Sequence, residues 1–557
     1  MLRFLYKFSI TILIVLILFL VYLSTIGLET DRFDNLIKKN ANSVNDNVKF
    51  DFNKTNIYLD IRGLKLLVKL KKPKIIIKDN EINLLKLNLY LSLKSFYKSN
   101  FLLERANIGF AKNSIKDLAK VTNFFLPKII NNQLKKVFVE GNLEGEFVIP
   151  FKPDGTIKED YSFYGKIKNA KINIFNQYEV KGLNATIRYG ESSDLNTDGL
   201  KIIIEDGVIS NLKILESYIN INFKENKKYI QSSIRTVGGL NFQEIKKISS
   251  TLGYKIDFFE DIILESDIKT NFEFYIDKRF KITNQKYQIE GQVKNLYLKT
   301  KEDKSIKDFL PLFNSEVTVK NAKIKFSNTA KKQTFNLIGK AKFSNQYESI
   351  ELNHSYNKKN KKHSISGLSS LDGSVIELKK LNYKKKIAEN AQVNFSGNFI
   401  ADKYLLIDSL NFFSDASEII VDKVKLNRNF EIFDLSKIKV KTYSNNAINN
   451  DLLIIKSDKV KISGNVFDAQ PLLKSLFSND DRKIFSKKFS NDIQVNIRKT
   501  ITGTGDDVSD LSMISTINAG SYQKLILKGK FSKSEILEMS IYQIDKDKKT
   551  LQVISDR

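Results

Sequence analysis

The chain of 557 residues contains no cysteine, no tryptophan, two histidines and only six prolines. Without cysteine, the chain cannot form a disulfide framework, a thiolate metal site or a cysteine nucleophile. An extracytoplasmic body of this sequence would therefore depend on packing and sheet hydrogen bonds for its stability. Because proline cannot donate a backbone hydrogen bond, its scarcity leaves long stretches able to form continuous β-ladders.

Residues that could build an enzyme active site are few and scattered. His354 and His363 flank the Lys- and Asn-rich stretch 357–362, which is predicted to be an exposed loop, and their separation does not match the helical zinc motif. The Gly-rich segment 502–507 lacks the Gly-Lys-Ser/Thr ending of a phosphate-binding loop, so it is predicted to be a hairpin loop. Adjacent carboxylates such as Glu260-Asp261 would point to opposite faces of a strand. The sequence predicts no catalytic residue, no metal site, no cofactor and no enzyme activity.

The formal net charge of +28 raises nucleic acid as a partner, because clustered lysine and arginine displace counterions from phosphates. Here the positive charge is mostly lysine and is spread along the whole chain. No arginine-rich segment or basic helix with interleaved aromatic residues concentrates it. The charge therefore indicates a solvated surface, and the chain is not expected to bind nucleic acid.

The N-terminal region carries the strongest local signal. The segment from Phe8 to Leu28 is uncharged and predominantly apolar, and about 20 apolar residues suffice for a helix to cross the hydrocarbon layer. Arg3 and Lys7 precede the segment and acidic residues follow it, so the positive-inside rule leaves the N-terminus in the cytoplasm and the body outside. A cleaved signal peptide is the alternative, but such peptides have a shorter apolar region and a small-residue cleavage site that fits poorly here.

Beyond the predicted anchor, the dominant period of the apolar residues becomes two. A helix is predicted over 30–41, which gives a cytoplasmic tip and anchor at 1–28, a helical linker at 29–45 and a β-rich body at 46–557. Apolar and charged residues alternate at 323–326, 423–426 and 437–441, as expected for strands with one buried and one solvated face. Short helices are predicted to interrupt the strands at 114–125, 241–252, 305–313 and 470–477.

A weak internal repeat supports one extended sheet. In each copy the apolar residues before a Lys-Asn pair and those after it differ in phase: one set lies at odd positions and the other at even positions. The strand must therefore absorb one extra residue there if the same face is to stay buried. Asparagine tolerates the left-handed backbone that a bulge uses. Chance similarity in a chain rich in lysine and asparagine is the alternative. The three copies are Gly165–Ile172, Gly291–Leu298 and Val317–Ile324.

Taken in order, several segments resemble the AsmA-like family of bacterial envelope proteins, especially its YhdP-type and TamB-type members. The resemblance is diffuse and covers most of the chain. It is carried by the anchor followed by Gly27–Phe33, by the stretch from Leu126-Pro127 through Gly141–Phe147, by the repeated Ile/Val-Lys-Asn segments and by Ile462–Leu473. The larger relatives continue into further sheet, so a truncated C-terminus is one expectation.

The resemblance implies a mainly β fold: an N-terminal transmembrane helix followed by a long curved antiparallel sheet with a few short helices. In such a groove-like, bridge-type lipid-transfer architecture, the concave apolar face conducts phospholipids between the inner and outer membranes. The chain is then expected to be a single-pass protein of the bacterial inner membrane with its body in the periplasm, and its partners to be phospholipids and outer-membrane components. The groove candidates are the alternating apolar residues Ile172, Ile174, Ile324, Phe326, Ile438 and Val440.

Two alternatives remain open at this stage. The chain could be a structural or assembly factor that helps outer-membrane proteins fold by strand addition at an exposed edge. Each groove candidate could instead pack beneath a helix as ordinary core, and a closed sandwich would produce the same alternation as an open sheet.

Overall fold

A computed structural model gives the architecture and divides the chain into two compact units. Unit 1 comprises Met1–Gly238 with Lys269–Gln285, and unit 2 comprises Gly239–Ile268 with Lys286–Arg557. The structure does not describe Leu126-Pro127, which is part of one segment that carries the family resemblance. The structure describes residues 2–42, 48–77, 80–93, 103–121, 136–154, 156–158, 160–174, 178–190, 199–224, 227–251, 256–278, 281–301, 304–387, 389–400, 403–476, 485–531, 535–545 and 548–556.

Helices form a small part of the described chain, and the longest is the predicted anchor. The helices are α1 Leu2–Thr25, α2 Asp34–Asn42, α3 Ile115–Val121, α4 Phe242–Thr251, α5 Lys304–Lys307 and α6 Gln470–Leu476, with a 3-10 turn at Lys379–Leu381. A helix is thus present in each predicted segment, although 122–125, 252 and 477 lie outside the described residues and α5 is much shorter than the predicted 305–313. The predicted helical linker is also partly wrong, because strand β1 (Leu28–Thr30) precedes α2.

Strands dominate both units, which confirms the mainly β fold class. In the described chain, 31 strands belong to one sheet that does not close on itself, and two further strands form a separate hairpin. Neighbouring strands pair antiparallel, apart from one parallel pair noted below. Most backbone hydrogen bonds of the sheet form between strands that are close in sequence, and the scarcity of proline leaves these ladders continuous.

Unit 1 contains α1, α2, α3 and the first thirteen strands. Strand β1 pairs with β3, β3 with β4 and β4 with β6, while β2 and β5 form a short ladder that continues onto β6. Helix α2 lies against β2, and the core there contains Phe52, Val68 and Leu70. The other strands are β2 Val48–Asp51, β3 Lys54–Asp60, β4 Lys65–Lys71, β5 Lys74–Ile77, β6 Asn80–Ser92, β7 Leu103–Ser114, β8 Phe138–Pro150, β9 Ser162–Ile174, β10 Tyr178–Tyr189, β11 Gly199–Ile209, β12 Leu212–Lys224 and β13 Lys227–Leu240.

Unit 2 contains the remaining strands and the last two residues of β13, and β14 and β15 contribute residues to both units. Its largest core lies where the β20–β21 hairpin packs on the sheet, with Tyr383, Phe412 and Val440 in one cluster. The strands are β14 Phe259–Asp277, β15 Ile282–Thr300, β16 Glu316–Asn328, β17 Lys332–Lys342, β18 Tyr347–Asn357, β19 Lys362–Ser370, β20 Ile376–Leu378, β21 Tyr383–Lys385, β22 Ala391–Ile400, β23 Tyr404–Ser414, β24 Ser417–Leu426, β25 Ile432–Asp434, β26 Lys437–Ser444, β27 Ala447–Lys456, β28 Val460–Asp468, β29 Asn491–Ile501, β30 Val508–Asn518, β31 Ser521–Lys530, β32 Ile536–Asp545 and β33 Lys548–Ser555.

Several predicted local features of the sheet are confirmed. The three alternating segments lie in β16, β24 and β26. The Gly-rich segment 502–507 connects the antiparallel strands β29 and β30, so it is a hairpin loop. The parallel pair is β28 with β29, which are separated by α6.

The extra residue that the internal repeat predicts is present at two of its three copies. Asn169 and Asn321 both have a left-handed backbone, with φ of 49° and 50°, and the pairing register shifts beside each of them. In the remaining copy, Gly291–Leu298, the side chains that face the core also shift from an odd position, Val293, to an even one, Leu296. There the prediction of a left-handed asparagine is wrong, because Asn295 is not among the residues with positive φ and pairs in continuous register with β16.

The bulge at Asn321 gives a first testable prediction. Asn321→Val should lower the free energy of unfolding by about 1–2 kcal/mol, because a β-branched residue is strained at positive φ. Asn321→Gly should be close to neutral, since glycine adopts this conformation freely. Urea unfolding of the purified full-length protein, followed by far-UV circular dichroism, measures both changes. Lys323→Val, on the extended part of the same strand, is the control, and an equal loss in both valine variants would contradict the prediction.

Candidate functional site

One face of the sheet in unit 2 carries continuous rows of apolar side chains. Residues directly opposite each other in antiparallel strands project from the same face. On this basis five neighbouring strands, β15 to β19, contribute one member each to a row that is half-buried throughout. The members of this row, called the unit 2 row, are Ile289, Phe326, Phe335, His354 and Ile365.

A second apolar row lies beside the unit 2 row on the same face. In this row Ile324 pairs with Leu337, and Leu337 pairs with Leu352. Each of these residues is two positions away from the member of the unit 2 row in its own strand. This second row reaches the buried cluster around Ala322, which Ile324, Leu337 and Ile350 contact. The apolar face therefore begins in a packed core and continues into a region where large side chains are only partly covered.

The opposite face of the same strands is polar. Lys325, Asn336, Asn353 and Ser366 are paired across β16 to β19 and alternate with the members of the unit 2 row. The amide of Asn336 donates a hydrogen bond to the side-chain oxygen of Asn353 over 2.7 Å. The sheet in unit 2 is thus amphipathic: one face offers apolar contact area and the other offers hydrogen-bonding groups.

Unit 1 has an apolar row of the same kind across seven consecutive strands. The ring centroids of Phe147 and Phe163 lie 4.4 Å apart, and Phe110 contacts Phe147 edge-on at 5.8 Å. Aromatic rings in such contact cover a large apolar area with few rotatable bonds. The members of this unit 1 row are Ile108, Phe147, Phe163, Tyr189, Leu200, Ile221 and Ile230.

The six groove candidates occupy three different environments. Ile324 and Phe326 lie on the open apolar rows of unit 2. Ile172 and Ile174 in unit 1 pack against a core cluster. Ile438 and Val440 belong to the core beneath the β20–β21 hairpin, where Val440 is only 5% exposed. The structure therefore places Phe326 among other half-exposed apolar residues and Ile324 between this row and the cluster around Ala322, whereas the other four lie within or against packed clusters.

Sequence reasoning found Phe326 but missed Phe335 in the unit 2 row and the aromatic members of the unit 1 row. The segment 334–337 alternates polar and apolar residues and was detectable by the same period-two test that selected Ile324 and Phe326. Phe147 and Phe163 lie in segments interrupted by glycines, which weakens the periodic signal. Their membership in one row follows only from the register of β8 against β9.

The two histidines flank an exposed turn, as predicted, and their side chains lie on the apolar face of unit 2. His354 is in β18 and His363 in β19, and only the turn between these strands is the predicted loop. Nε2 of His354 and Nδ1 of His363 are 3.1 Å apart, a hydrogen-bond distance whose donor depends on the tautomers. The His363 ring stacks on Phe399 and on Tyr356, with both centroid distances at 4.5 Å.

Burial on this face lowers the pKa of both histidines. For His354, loss of hydration is the main cause, and the nearby His363 adds a smaller contribution. For His363, burial alone lowers the pKa. A charged imidazole would lose its hydration shell among Phe399, Tyr356 and Ile365, so the neutral forms are favoured. The pair is therefore polar but uncharged at neutral pH, and it can acquire charge in acid.

The histidine pair predicts a stability that depends on pH. Because both pKa values are lower in the folded state, the unfolded chain binds more protons below about pH 6.5, so stability should fall as the pH decreases through this range. The double variant His354→Phe and His363→Phe should lose less stability between about pH 7 and pH 5 than the unaltered protein. Thermal unfolding at the two pH values measures this difference, and parallel losses in both proteins would contradict it.

An open cavity of about 650 Å³ lies against the strands of unit 2, and residues of both faces line it, including all five members of the unit 2 row. Glu290, Asn336, Asn353 and Ser366 contribute to it from the polar face. Hydroxyl and amide groups of this kind suit water or a polar ligand, whereas the apolar rows suit hydrocarbon. Within the described ranges, no three His, Cys, Asp or Glu side chains converge on a point where a metal ion could bind.

The comparisons with known proteins identify no relative. No family model, no curated protein and no solved structure matches the chain. Any functional conclusion therefore depends on the anchor helix, the amphipathic sheet and the chemistry of its two faces.

Proposed function

We propose that this chain is a lipid-transfer protein of the bacterial cell envelope. In this proposal α1 spans the inner membrane once, the β-rich body lies in the periplasm, and phospholipids move along the apolar face of the sheet toward the outer membrane. The observation that carries the proposal is the pair of apolar rows, one in each unit, whose large side chains remain only half-buried although they lie side by side across five or more strands. The role requires no cofactor and no covalent step.

The size of the apolar rows suits hydrocarbon ligands. Five strands at about 4.8 Å spacing place the ends of the unit 2 row roughly 19 Å apart, which is of the same order as an extended acyl chain. Each methylene group transferred from water to such a surface contributes about 0.8 kcal/mol. A headgroup would remain in water beyond the row, because the face is open and no described element covers Phe326 and Phe335 completely.

The anchor supports the proposed location. Residues Arg3–Thr25 form a helix long and apolar enough to cross a membrane, and its side chains are not buried against the rest of the protein. At 1.5 Å per residue, this helix is long enough for a hydrocarbon layer of about 30 Å. Positive charge before the helix and acidic residues after it favour a periplasmic body. An AsmA-like membership fits the order of anchor and amphipathic sheet and is part of the same proposal.

Photochemical crosslinking in membranes tests lipid contact on the two faces separately. A photoreactive phenylalanine analogue is placed at Phe335, on the unit 2 row, or at the next residue, Asn336, on the polar face. The same pair of positions is available in unit 1 at Phe147 and Glu146. The full-length protein is produced in bacterial cells, irradiated and analysed by mass spectrometry for covalently attached phospholipid.

The expected result is phospholipid attached at Phe335 and Phe147 and little or none at Asn336 and Glu146. Equal attachment on both faces would indicate nonspecific contact with the membrane and would contradict the proposal. A folded protein with no attached lipid at any position would instead favour a role in assembling outer-membrane proteins by strand addition.

A further inference from the structure

The β3–β4 hairpin lies at the end of the sheet where α1 joins it. Leu28, the first residue of β1, pairs with Ile57 of β3, and β3 runs antiparallel to β1. Residues after Ile57 therefore extend past the start of β1, toward the helix. Helix α1 contacts β3, and a Cβ atom at Gly27 would lie 2.7 Å from the Tyr58 ring, so the junction between helix and sheet is tightly packed. Measured along the strands, the tip of the hairpin at 61–64 begins about 13 Å beyond Leu28, because Ile61 lies four residues after Ile57.

The apolar side chains of the hairpin tip have little contact with the rest of the protein. Ile61 is 51% exposed and Leu64 is 63% exposed. At the end of the anchor, Ile26 and Leu28 are 64% and 45% exposed. The exposed apolar residues of the tip and of the anchor thus lie at the same end of the sheet. Isolated exposed apolar residues are common, but a group at the base of a membrane anchor indicates an interaction surface.

The backbone of Leu64 makes the tip unusual. Leu64 has φ of 49°, a left-handed conformation that glycine or asparagine adopts at much lower cost than leucine. The neighbouring Gly63 is held by a hydrogen bond from its N–H to the Asp60 carboxylate over 3.0 Å. A strained leucine whose side chain is mostly exposed gains nothing from packing in the folded protein. Strain of this kind is commonly retained where the side chain has another role.

The charge at the tip fits the surface of a bilayer. Arg62 lies between the two exposed apolar residues and makes no ion pair with any residue that the structure describes. Lys65, the next cation, is paired with Glu104 at 2.7 Å and thus points back toward the sheet. A free arginine beside apolar residues can extend its guanidinium group to lipid phosphates while its alkyl part remains in the interface. The tip has the composition of a segment that lies in the membrane interface.

We infer that the β3–β4 hairpin inserts Ile61 and Leu64 into the membrane leaflet that surrounds the C-terminal end of α1. The occupant of this surface is the bilayer itself, because the hairpin extends from β3 toward the helix that is proposed to cross it. The inference depends on the proposed membrane anchoring by α1. Its consequence is that two separate points, the helix and the hairpin, fix the first strands of the sheet against the membrane.

Fluorescence quenching by lipids tests the inference in the full-length protein. Because the chain has no cysteine, single cysteines can be introduced and labelled with an environment-sensitive fluorophore without removing others. The labelled positions are Leu64→Cys and Ile61→Cys at the tip, Ile14→Cys in α1, and Leu85→Cys as control. Leu85 is 71% exposed and lies in β6. It is several residues away from Ser92, the end of β6 that pairs with Lys65 beside the tip. The protein is reconstituted into vesicles of phosphatidylethanolamine and phosphatidylglycerol that contain nitroxide-labelled lipid.

Quenching at Ile61, Leu64 and Ile14, with none at Leu85, is the expected result. Quenching at Ile14 without quenching at the tip would overturn the hairpin inference and leave the anchoring proposal intact. Absence of quenching at Ile14 would remove both, since the helix would then not lie in the bilayer. Similar quenching at Leu85 and at the tip would show general adsorption of the sheet and would also overturn the inference.

A second variant separates insertion from folding. In the Ile61→Cys protein, the additional change Leu64→Asn should remove most of the quenching, because asparagine is polar. The thermal midpoint should stay the same or rise, because asparagine tolerates the left-handed backbone. Unchanged quenching in this variant would contradict a role for Leu64 in the membrane.

Discussion

Replacing Phe335 with aspartate is expected to reduce phospholipid bound to unit 2 by at least about tenfold. The new carboxylate would lie in the middle of the unit 2 row, directly opposite Phe326 and His354. An acyl chain on this row would then have to cover a charge, or the carboxylate would have to take up a proton, and either costs more than the roughly 1.4 kcal/mol that corresponds to tenfold in affinity. The quantity to measure is the yield of lipid attached to a photoreactive residue at position Phe326.

Asn336→Asp is the matched control for this prediction. It adds the same charge one residue along the strand, on the polar face, where the carboxylate remains hydrated. Lipid attachment at Phe326 should be unchanged in this variant. Limited proteolysis and tyrosine fluorescence, which is informative because the chain lacks tryptophan, verify that both variants are folded. Equal losses in the two aspartate variants would mean that the apolar row does not hold the lipid.

Replacing Lys385 with methionine is expected to lower the free energy of unfolding of unit 2 by about 3–5 kcal/mol. Its side chain is fully buried in the β20–β21 hairpin. The ammonium group donates hydrogen bonds to the carbonyl oxygens of Asp372, Ser374 and Lys386 at 3.0, 2.9 and 2.9 Å. Methionine has a similar length but no donor, so it would leave these carbonyls without their shared partner in a buried site.

The neighbouring Lys384 provides the control for Lys385. Lys384 is exposed on the other side of the same strand, and Lys384→Met should change stability by no more than about 0.5 kcal/mol. The midpoints of urea unfolding of the full-length protein, followed by far-UV circular dichroism, measure both variants. Because the β20–β21 hairpin covers Phe412 and Val440, its loss should also increase amide hydrogen exchange in β23 and β26. A Lys385 variant as stable as the Lys384 variant would contradict this account.

The sequence by itself determined the features that arise from short-range constraints. An uncharged run of apolar residues fixes the helix α1 whatever the rest of the chain does. Alternation with period two places Ile324 and Phe326 on one face of β16, because successive side chains of a strand point to opposite sides. The change of parity around Asn169 and Asn321 indicated the bulges, since a buried face can continue past a phase change only if one residue is absorbed.

Only the tertiary structure decided what lies on each face. Val440 alternates as regularly as Phe326, yet Val440 is buried beneath the β20–β21 hairpin while Phe326 remains half-exposed. The pairing of His354 with His363 follows from the register of β18 and β19, and the three carbonyl partners of Lys385 come from segments that carry no periodic signal. The physical reason is that alternation specifies the direction of a side chain, whereas its cover and its partners depend on contacts between distant segments of the chain.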